Sequence, residues 1–166
     1  MAKLHVMKDN LKRLMEEEYL SNDEYQFMSS LFFLIHDHSN AIAKNIIDFM
    51  TLSEIAESLK QDKKETGRMI ECLDKKGILF EFLHGPQIKE FDPEISKRPL
   101  FFNPEIVYKG DIHEIDATLS ALTSHFDKLD QRIKLPYKIW YPANAEYGMV
   151  IPREWIMDAN KAEIYQ

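Results

Sequence analysis

Side chains able to hydrogen-bond to base edges and phosphates are concentrated between residues 61 and 68 and recur further along the chain. Amide and guanidinium groups recognise bases in the major groove of DNA, and lysines neutralise phosphates. The candidates for contact with bases, or for positioning a helix on the duplex, are Gln61, Lys63, Lys64, Gly67 and Arg68. The candidates for phosphate contact are Lys75, Lys89, Lys97 and Arg98.

Two consecutive helices are predicted to hold these side chains. Thr51 and Glu54 form a Thr-x-x-Glu capping box, which marks the start of a short helix. Its apolar face consists of Leu52, Ile55, Ala56 and Leu59. Asp62 and Glu65 form the Asp variant of the box and start a longer helix. The inner face of this second helix is predicted to contain Thr66, Met69, Ile70 and Leu73.

A glycine and a strand follow the longer helix. Gly77 comes directly after two lysines, as a C′ glycine does, and residues 78–82 have the composition of a strand. Helix, tight turn, helix and strand is the order of a winged helix-turn-helix, in which the second helix presents its outer face to the major groove. Another strand is predicted at 99–103, and the polar loop over 87–98 is the predicted wing.

Gly67 has two interpretations. On the outward face of the second helix it leaves room for a close approach of DNA. Alternatively, it is a small residue that the helix tolerates at a cost of about 1 kcal/mol relative to Ala. Both interpretations stay open at the level of the sequence.

The overall charge of the chain is unfavourable for binding DNA. The sequence contains 28 acidic residues against 21 Lys and Arg, a net charge of −7. The excess is smallest over residues 51–110, which carry ten basic and eleven acidic side chains. Because non-specific affinity for DNA depends on phosphate neutralisation, an acidic binder needs a local basic surface and is expected to be sensitive to salt.

The residue types argue against several kinds of site. The single Cys72 can form no internal disulfide, and it is interpreted as a partly buried structural residue or, alternatively, as a redox-sensing thiol. His36 and His38 have no partner at ligand spacing, so they are interpreted as turn residues and no metal is expected. Phosphate loops, nucleophile elbows and zinc-protease motifs do not occur. A protein without enzymatic activity or cofactor is predicted.

The first fifty residues are predicted to be mostly helical. Residues 3–19 have the spacing of an amphipathic helix, and Ser21 and Glu24 form a capping box for a second, more apolar helix. Residues 41–50 are predicted to form a small hairpin.

Charges occur too early for a secretory signal, and the longest apolar stretch, 31–35, is far too short to span a bilayer. A cytoplasmic protein without a membrane segment is expected.

The C-terminal third combines a helical repeat with an aromatic segment. From Ile115 to Ile133 apolar residues recur at steps of four and three, which indicates a helix that packs on the core or, alternatively, pairs with a second copy. The following residues are rich in Tyr and Trp and are broken by three prolines, which indicates short strands and loops. These aromatics either attach the tail to the core or form a surface for a partner protein.

A late motif gives the sequence a family resemblance. The motif consists of Phe101, Phe102, Asn103 and Pro104, followed by Lys109, Gly110 and Asp111. With the order of the predicted elements over roughly residues 20–111, it resembles winged-helix proteins of Firmicute phages and plasmids, in particular the RepL plasmid replication initiators. The resemblance implies a winged-helix fold and DNA binding through the helix over 62–76. The acidic charge and the aromatic C-terminal part depart from that family.

The sequence thus predicts a mainly α protein with a small antiparallel β wing (α+β). A winged helix-turn-helix domain is expected over residues 1–110, and a helical and aromatic extension over 111–166. The predicted function is sequence-specific binding of double-stranded DNA, as a homodimer, in transcriptional regulation or replication initiation of a phage, plasmid or other mobile element. The alternative is a winged-helix module that binds a partner protein through its acidic surface and aromatic C-terminal segment.

Overall fold

Short strands and helices alternate along the chain. The computed structural model describes residues 2–45, 48–81 and 99–156. Its helices are α1 (Lys8–Glu16), α2 (Asn22–Leu31), α3 (Leu52–Ser58), α4 (Lys63–Lys75) and α5 (Ala117–His125), with a 3₁₀ turn (Phe32–Leu34) after α2. Its strands are β1 (Leu4–Val6), β2 (Ala43–Asn45), β3 (Asp48–Phe49), β4 (Leu79–Glu81), β5 (Leu100–Phe102), β6 (Val107–Lys109), β7 (Ile115–Asp116), β8 (Tyr137–Trp140) and β9 (Tyr147–Pro152).

The strands pair antiparallel in small sheets. Within the described ranges, β1 pairs with β6, β2 with β3, and β4 with β5, while the last three strands form a sheet in the order β7-β9-β8. The β2–β3 pair confirms the hairpin predicted over 41–50. The β4–β5 pair confirms the two strands predicted on either side of the polar loop.

The predicted fold class is wrong. A mainly α protein with one β wing and a helical extension was expected, whereas four small antiparallel sheets run through the described chain. Among the described residues after 110, a three-stranded sheet lies beside the nine-residue helix α5, so this part is not a purely helical extension. The structure is therefore an α+β protein with several small antiparallel sheets, and the winged helix-turn-helix assignment is replaced by this description.

The helix predicted over residues 3–19 begins later than expected. Residues 4–6 form β1, whose partners in β6 are Val107, Tyr108 and Lys109. The main hydrophobic core is formed around Leu14, Met28 and Leu73. The side chains of Leu4 and Val6 are half-buried against it, while His5 is exposed. The step of three from Leu4 to Met7 fits a helix, whereas the alternation over Leu4, His5 and Val6 fits a strand. A partner about a hundred residues away decides between them.

The helix predicted from the apolar repeat also ends early. The helix α5 stops at His125, and aspartate side chains then bind the backbone two residues ahead. The N–H of Leu129 donates to Asp127 at 2.9 Å, and the N–H of Arg132 donates to Asp130 at 3.0 Å. Such local bonds compete with the helix. Leu129 and Ile133 nevertheless enter the main core, so packing within the chain accounts for most of the repeat.

A buried polar network attaches the three-stranded sheet to the rest of the protein. Asn10 of α1 donates from Nδ2 to the carbonyl of Tyr137 at 2.9 Å, and its Oδ1 accepts from the N–H of Tyr137 at 2.9 Å. The fully buried Glu105 accepts from the N–H of Ile139 at 2.8 Å and from Lys138 at 3.1 Å. Burial raises the pKa of the Glu105 carboxyl, while Lys138 and Ile139 act in the opposite direction. The hydrogen bonds of Asn10 and Glu105 thus fix β8 to α1 and to the segment before β6.

The residues behind the family resemblance are largely structural. Asn103 is fully buried, its Nδ2 donates to the carbonyl of Gly77 at 2.9 Å, and its Oδ1 accepts from the N–H of Glu105 at 2.8 Å. It therefore joins the end of α4 to the segment before β6. Lys109 binds Asp37 at 3.2 Å and lies away from α4.

Within the described residues, no helix combines the length and the apolar character needed to cross a membrane.

Candidate nucleic-acid interface

The helices α3 and α4 are both fixed at their N-termini by the predicted caps. Thr51 and Glu54 exchange two hydrogen bonds of 3.1 Å, a complete capping box. At the start of α4, Asp62 accepts from the N–H of Glu65 at 3.1 Å. In the turn between the helices, Lys60 adopts a left-handed conformation with φ 53°. These contacts set the direction in which α4 leaves α3.

One face of α4 is packed and the opposite face is exposed. Thr66, Met69 and Leu73 are buried and Ile70 is half-buried, which confirms the predicted inner face. The exposed side chains on and just before α4 are Gln61, Asp62, Lys63, Lys64, Arg68, Glu71 and Lys75. Spacings of four, three and four place the last four of these on one stripe along the helix. Four of the five residues predicted to contact bases are therefore exposed on or just before α4, and Gly67 is the exception.

Gly67 lies against α3. It is half-buried, and a Cβ atom built on it would be 3.3 Å from Cδ2 of Leu52. Gly67 thus packs against the flexible side chain of Leu52 where α3 meets α4, a contact that the sequence did not reveal. This position favours a structural interpretation of Gly67 over an approach of DNA.

Two of the cations on α4 are paired with acids of the same helix. Arg68 donates from Nε to Glu65 Oε2 at 2.9 Å, and its Nη2 binds the other oxygen of the same carboxylate. The hydrogen bond from Arg68 lowers the pKa of Glu65, and that bond likewise raises the pKa of Arg68, so both stay charged at neutral pH. Lys75 lies 3.7 Å from Glu71. Exposed pairs of this kind contribute little to stability.

The remaining charge on this face is modestly basic. The cations on this face are Lys63, Lys64, Arg68 and Lys75, and they outnumber the acids Asp62, Glu65 and Glu71 by one. Lys63 and Lys64 are exposed at the N-terminal end, next to Asp62 and Glu65. The chain as a whole is acidic, so the face of α4 is a slight local exception to its charge. The predicted phosphate contacts Lys89, Lys97 and Arg98 lie outside the described residues.

A cleft beside this face adds residues that the sequence analysis missed. The cleft has a volume of about 400 Å³ and separates α2 from the α3–α4 turn. Its walls are formed by Asp23, Gln26, Phe27, Ser30, Leu59, Lys60, Gln61, Glu65 and Met69. Asp23, Gln26 and Ser30 follow one another at steps of three and four on α2. This spacing places the three polar side chains on one face of α2, and it could have been used to predict a second surface next to α4.

Other candidate chemistry is sparse in the described ranges. No group of three or more His, Cys, Asp and Glu side chains is arranged to hold a metal ion there. His38 lies in a turn with φ 65°. Cys72 is a half-buried free thiol on the flank of α4.

Comparisons with known proteins give one relative. No family model matches the chain, and no solved structure matches it. The chain is similar to an "uncharacterized 23.6 kDa protein" of Bacillus thuringiensis, with 27% identity over 121 residues, which cover 70% of this chain and 57% of the relative. The chain therefore spans little more than half the length of that relative, whose name states no ligand or activity.

Proposed function

We propose that the protein binds double-stranded DNA sequence-specifically through the outward face of α4, without enzymatic activity or cofactor. Its role would be transcriptional regulation or replication initiation of a phage, plasmid or other mobile element. The observation that carries the proposal is the exposed polar stripe on α4 opposite a fully packed inner face. A helix of 13 residues is about 20 Å long and fits a major groove about 12 Å wide.

The residues of this face suit different contacts with the duplex. Gln61, Lys63 and Lys64 surround the N-terminal end of α4, the part of a recognition helix nearest to the base edges. Arg68 can bind the O6 and N7 atoms of guanine with two hydrogen bonds. Lys75, at the other end of the helix, is assigned to a phosphate. The proposed phosphate contacts are completed by Lys89, Lys97 and Arg98.

Substitutions of Arg68 and Lys75 distinguish base contacts from phosphate contacts. Replacing Arg68 by Ala should cost about 1–3 kcal/mol of binding free energy and relax the preference at one base pair. Replacing Lys75 by Ala should weaken binding equally on all sequences and reduce the dependence of log K on log salt by about 0.9. Uniform weakening by the Arg68 substitution would make Arg68 a phosphate contact.

The first experiment is binding to fluorescent DNA fragments that tile the neighbourhood of the gene, at two salt concentrations. The test variant is Lys64→Glu/Arg68→Glu. Its matched control is Lys8→Glu/Lys12→Glu, which changes the net charge equally on the exposed face of another helix, α1. We expect one preferred fragment, weaker binding at high salt, loss of binding in the test variant and retention in the control.

Two further properties belong to the same proposal. A homodimer would place two copies of α4 on half-sites about one helical turn apart, and sedimentation of the protein with and without DNA measures this. A DNA-binding role also implies a cytoplasmic location.

In the fragment-binding experiment, equal binding of all fragments, or equal losses in both charge variants, would reject specific binding through α4.

A second candidate function is the binding of a partner protein. Large apolar side chains are exposed on the described surface, with 64% of Phe126, 45% of Tyr147 and 61% of Trp155 accessible. Aromatic residues are enriched at protein interfaces. This alternative is favoured if no DNA fragment is preferred over random DNA.

A further inference from the structure

The ion pair between Glu65 and Arg68 is oriented in a way that suggests a role in base selection. The carboxylate of Glu65 meets the Nε and Nη2 edge of the guanidinium, and Nη2 also lies 3.5 Å from Sδ of the buried Met69. Three contacts therefore hold the head group of a side chain that is otherwise 59% exposed. These contacts favour one orientation of a flexible arginine on the outward face of α4.

The geometry leaves part of the guanidinium available to a ligand. An arginine has five N–H donors in a planar fork, and the pair with Glu65 uses the edge formed by Nε and Nη2. At the edge formed by Nη1 and Nη2, one N–H of each nitrogen points outward in parallel, and the sulfur of Met69 beside Nη2 is only a weak acceptor. Two parallel donors of this kind match the O6 and N7 acceptors of guanine.

We propose that Glu65 is a positioning residue, which holds Arg68 ready for one guanine and makes the α4 surface more selective. This inference rests on the proposed DNA-binding function. Glu65 acts in two ways. It limits the rotamers of Arg68 before binding, and its negative charge opposes contact between this part of α4 and phosphates.

The expected size of the effect follows from the freedom of the arginine side chain. Immobilising a flexible side chain on binding costs roughly a factor of 2 to 12 in affinity. Removing Glu65 should therefore lower the affinity for the preferred site relative to random DNA by roughly that factor. Affinity for random DNA should rise, because a negative charge next to the phosphates is lost.

Three variants separate positioning from charge. The substitutions Glu65→Ala, Glu65→Gln and Glu71→Gln each remove one negative charge from the exposed face of α4. Of the three, Glu65→Gln keeps an oxygen that can accept from Arg68, and Glu71→Gln leaves the pair intact because Glu71 lies next to Lys75. The measurement is the affinity of each variant for the preferred fragment, its single-base-pair variants and random DNA at one salt concentration.

We expect all three variants to bind random DNA more tightly by similar factors. The preference for the guanine assigned to Arg68 should fall most in Glu65→Ala, less in Glu65→Gln, and stay at the wild-type value in Glu71→Gln. Equal preference in Glu65→Ala and Glu71→Gln would overturn the positioning role while leaving the DNA-binding function standing. Failure of the wild type to prefer any fragment would instead reject the proposed function, and the positioning role with it.

Discussion

Replacing Gly77 by Ala is expected to destabilise the protein strongly. Gly77 follows α4 with φ 78°, in the left-handed region that a Cβ atom disfavours. A Cβ built on it would lie 2.6 Å from the backbone nitrogen of Leu129 and 3.0 Å from the carbonyl carbon of Lys128. Because these are backbone atoms, a change of rotamer cannot relieve the overlap. The segment after α5 would have to move away from α4.

The change in the free energy of unfolding caused by Gly77→Ala is the sum of two destabilising contributions and one stabilising contribution. The left-handed conformation costs about 1–2 kcal/mol for a residue with a Cβ. Overpacking against a fixed neighbour costs about 1–3 kcal/mol. The lower entropy of the unfolded chain returns about 0.4–1 kcal/mol. The free energy of unfolding should therefore fall by about 1–5 kcal/mol, with a middle value of about 3 kcal/mol.

Urea unfolding followed by circular dichroism measures this loss, and Gly67→Ala is the control. Gly67 lies within a helix and its new Cβ meets only the flexible side chain of Leu52, at 3.3 Å. Since Ala is favoured over Gly in a helix by about 0.5–1 kcal/mol, this control should be neutral or slightly stabilising. A loss below about 1 kcal/mol in Gly77→Ala would refute both the left-handed turn and the contact with residue 129.

Three other substitutions test the remaining contacts. Asn10→Ala removes the hydrogen bonds to Tyr137 and to the carbonyl of Glu105, so the free energy of unfolding in urea should fall by about 2–4 kcal/mol, and a change within 0.5 kcal/mol would contradict the network. Burial acts to raise the pKa of Glu24, but hydrogen bonds from Lys76 and Ser21 outweigh it and lower the pKa below 4.5. The stability from these bonds is present above the unfolded pKa and is lost as pH falls through the folded pKa. The Tm of the wild type should thus fall more steeply below pH 4.5 than that of Glu24→Gln, and parallel curves would exclude the effect. Gly148→Ala places a Cβ 2.1 Å from Oγ of Ser120 and should cost about 1–3 kcal/mol, much of which Ser120→Gly should restore in a double-mutant cycle.

Signals satisfied within a few residues were predictable from the sequence. The caps at Ser21, Thr51 and Asp62 all accept the N–H three residues later, as their spacing indicated. The left-handed Gly77 follows α4 directly. These interactions need no information from the rest of the chain, because both partners belong to the same turn of helix.

Features that depend on distant partners were not predictable. The short β1 could not be separated from α1, since its partner β6 lies about a hundred residues later. Glu105 looks like a surface acid in the sequence, yet it is fully buried because Lys138 and the N–H of Ile139 bind it. The fold class was missed for the same reason, as each small sheet contributes only a few residues to the local pattern.

The candidate site was predicted in part. The periodicity of α4 gave its outward residues, because a packed inner face fixes the opposite face as exposed. It did not give the contact of Gly67 with Leu52, which depends on how closely α3 approaches. The spacing of Glu65 and Arg68 at i and i+3 permitted an ion pair, but only the geometry shows which edge of the guanidinium is engaged.

The polar network at β8 has a consequence for self-association. Asn10 binds both the N–H and the carbonyl of Tyr137, and Glu105 binds the N–H of Ile139 two residues further along the same edge. These are the backbone groups to which a strand from another molecule would have to bind. The two side chains therefore block strand addition at an edge that would otherwise be open to aggregation.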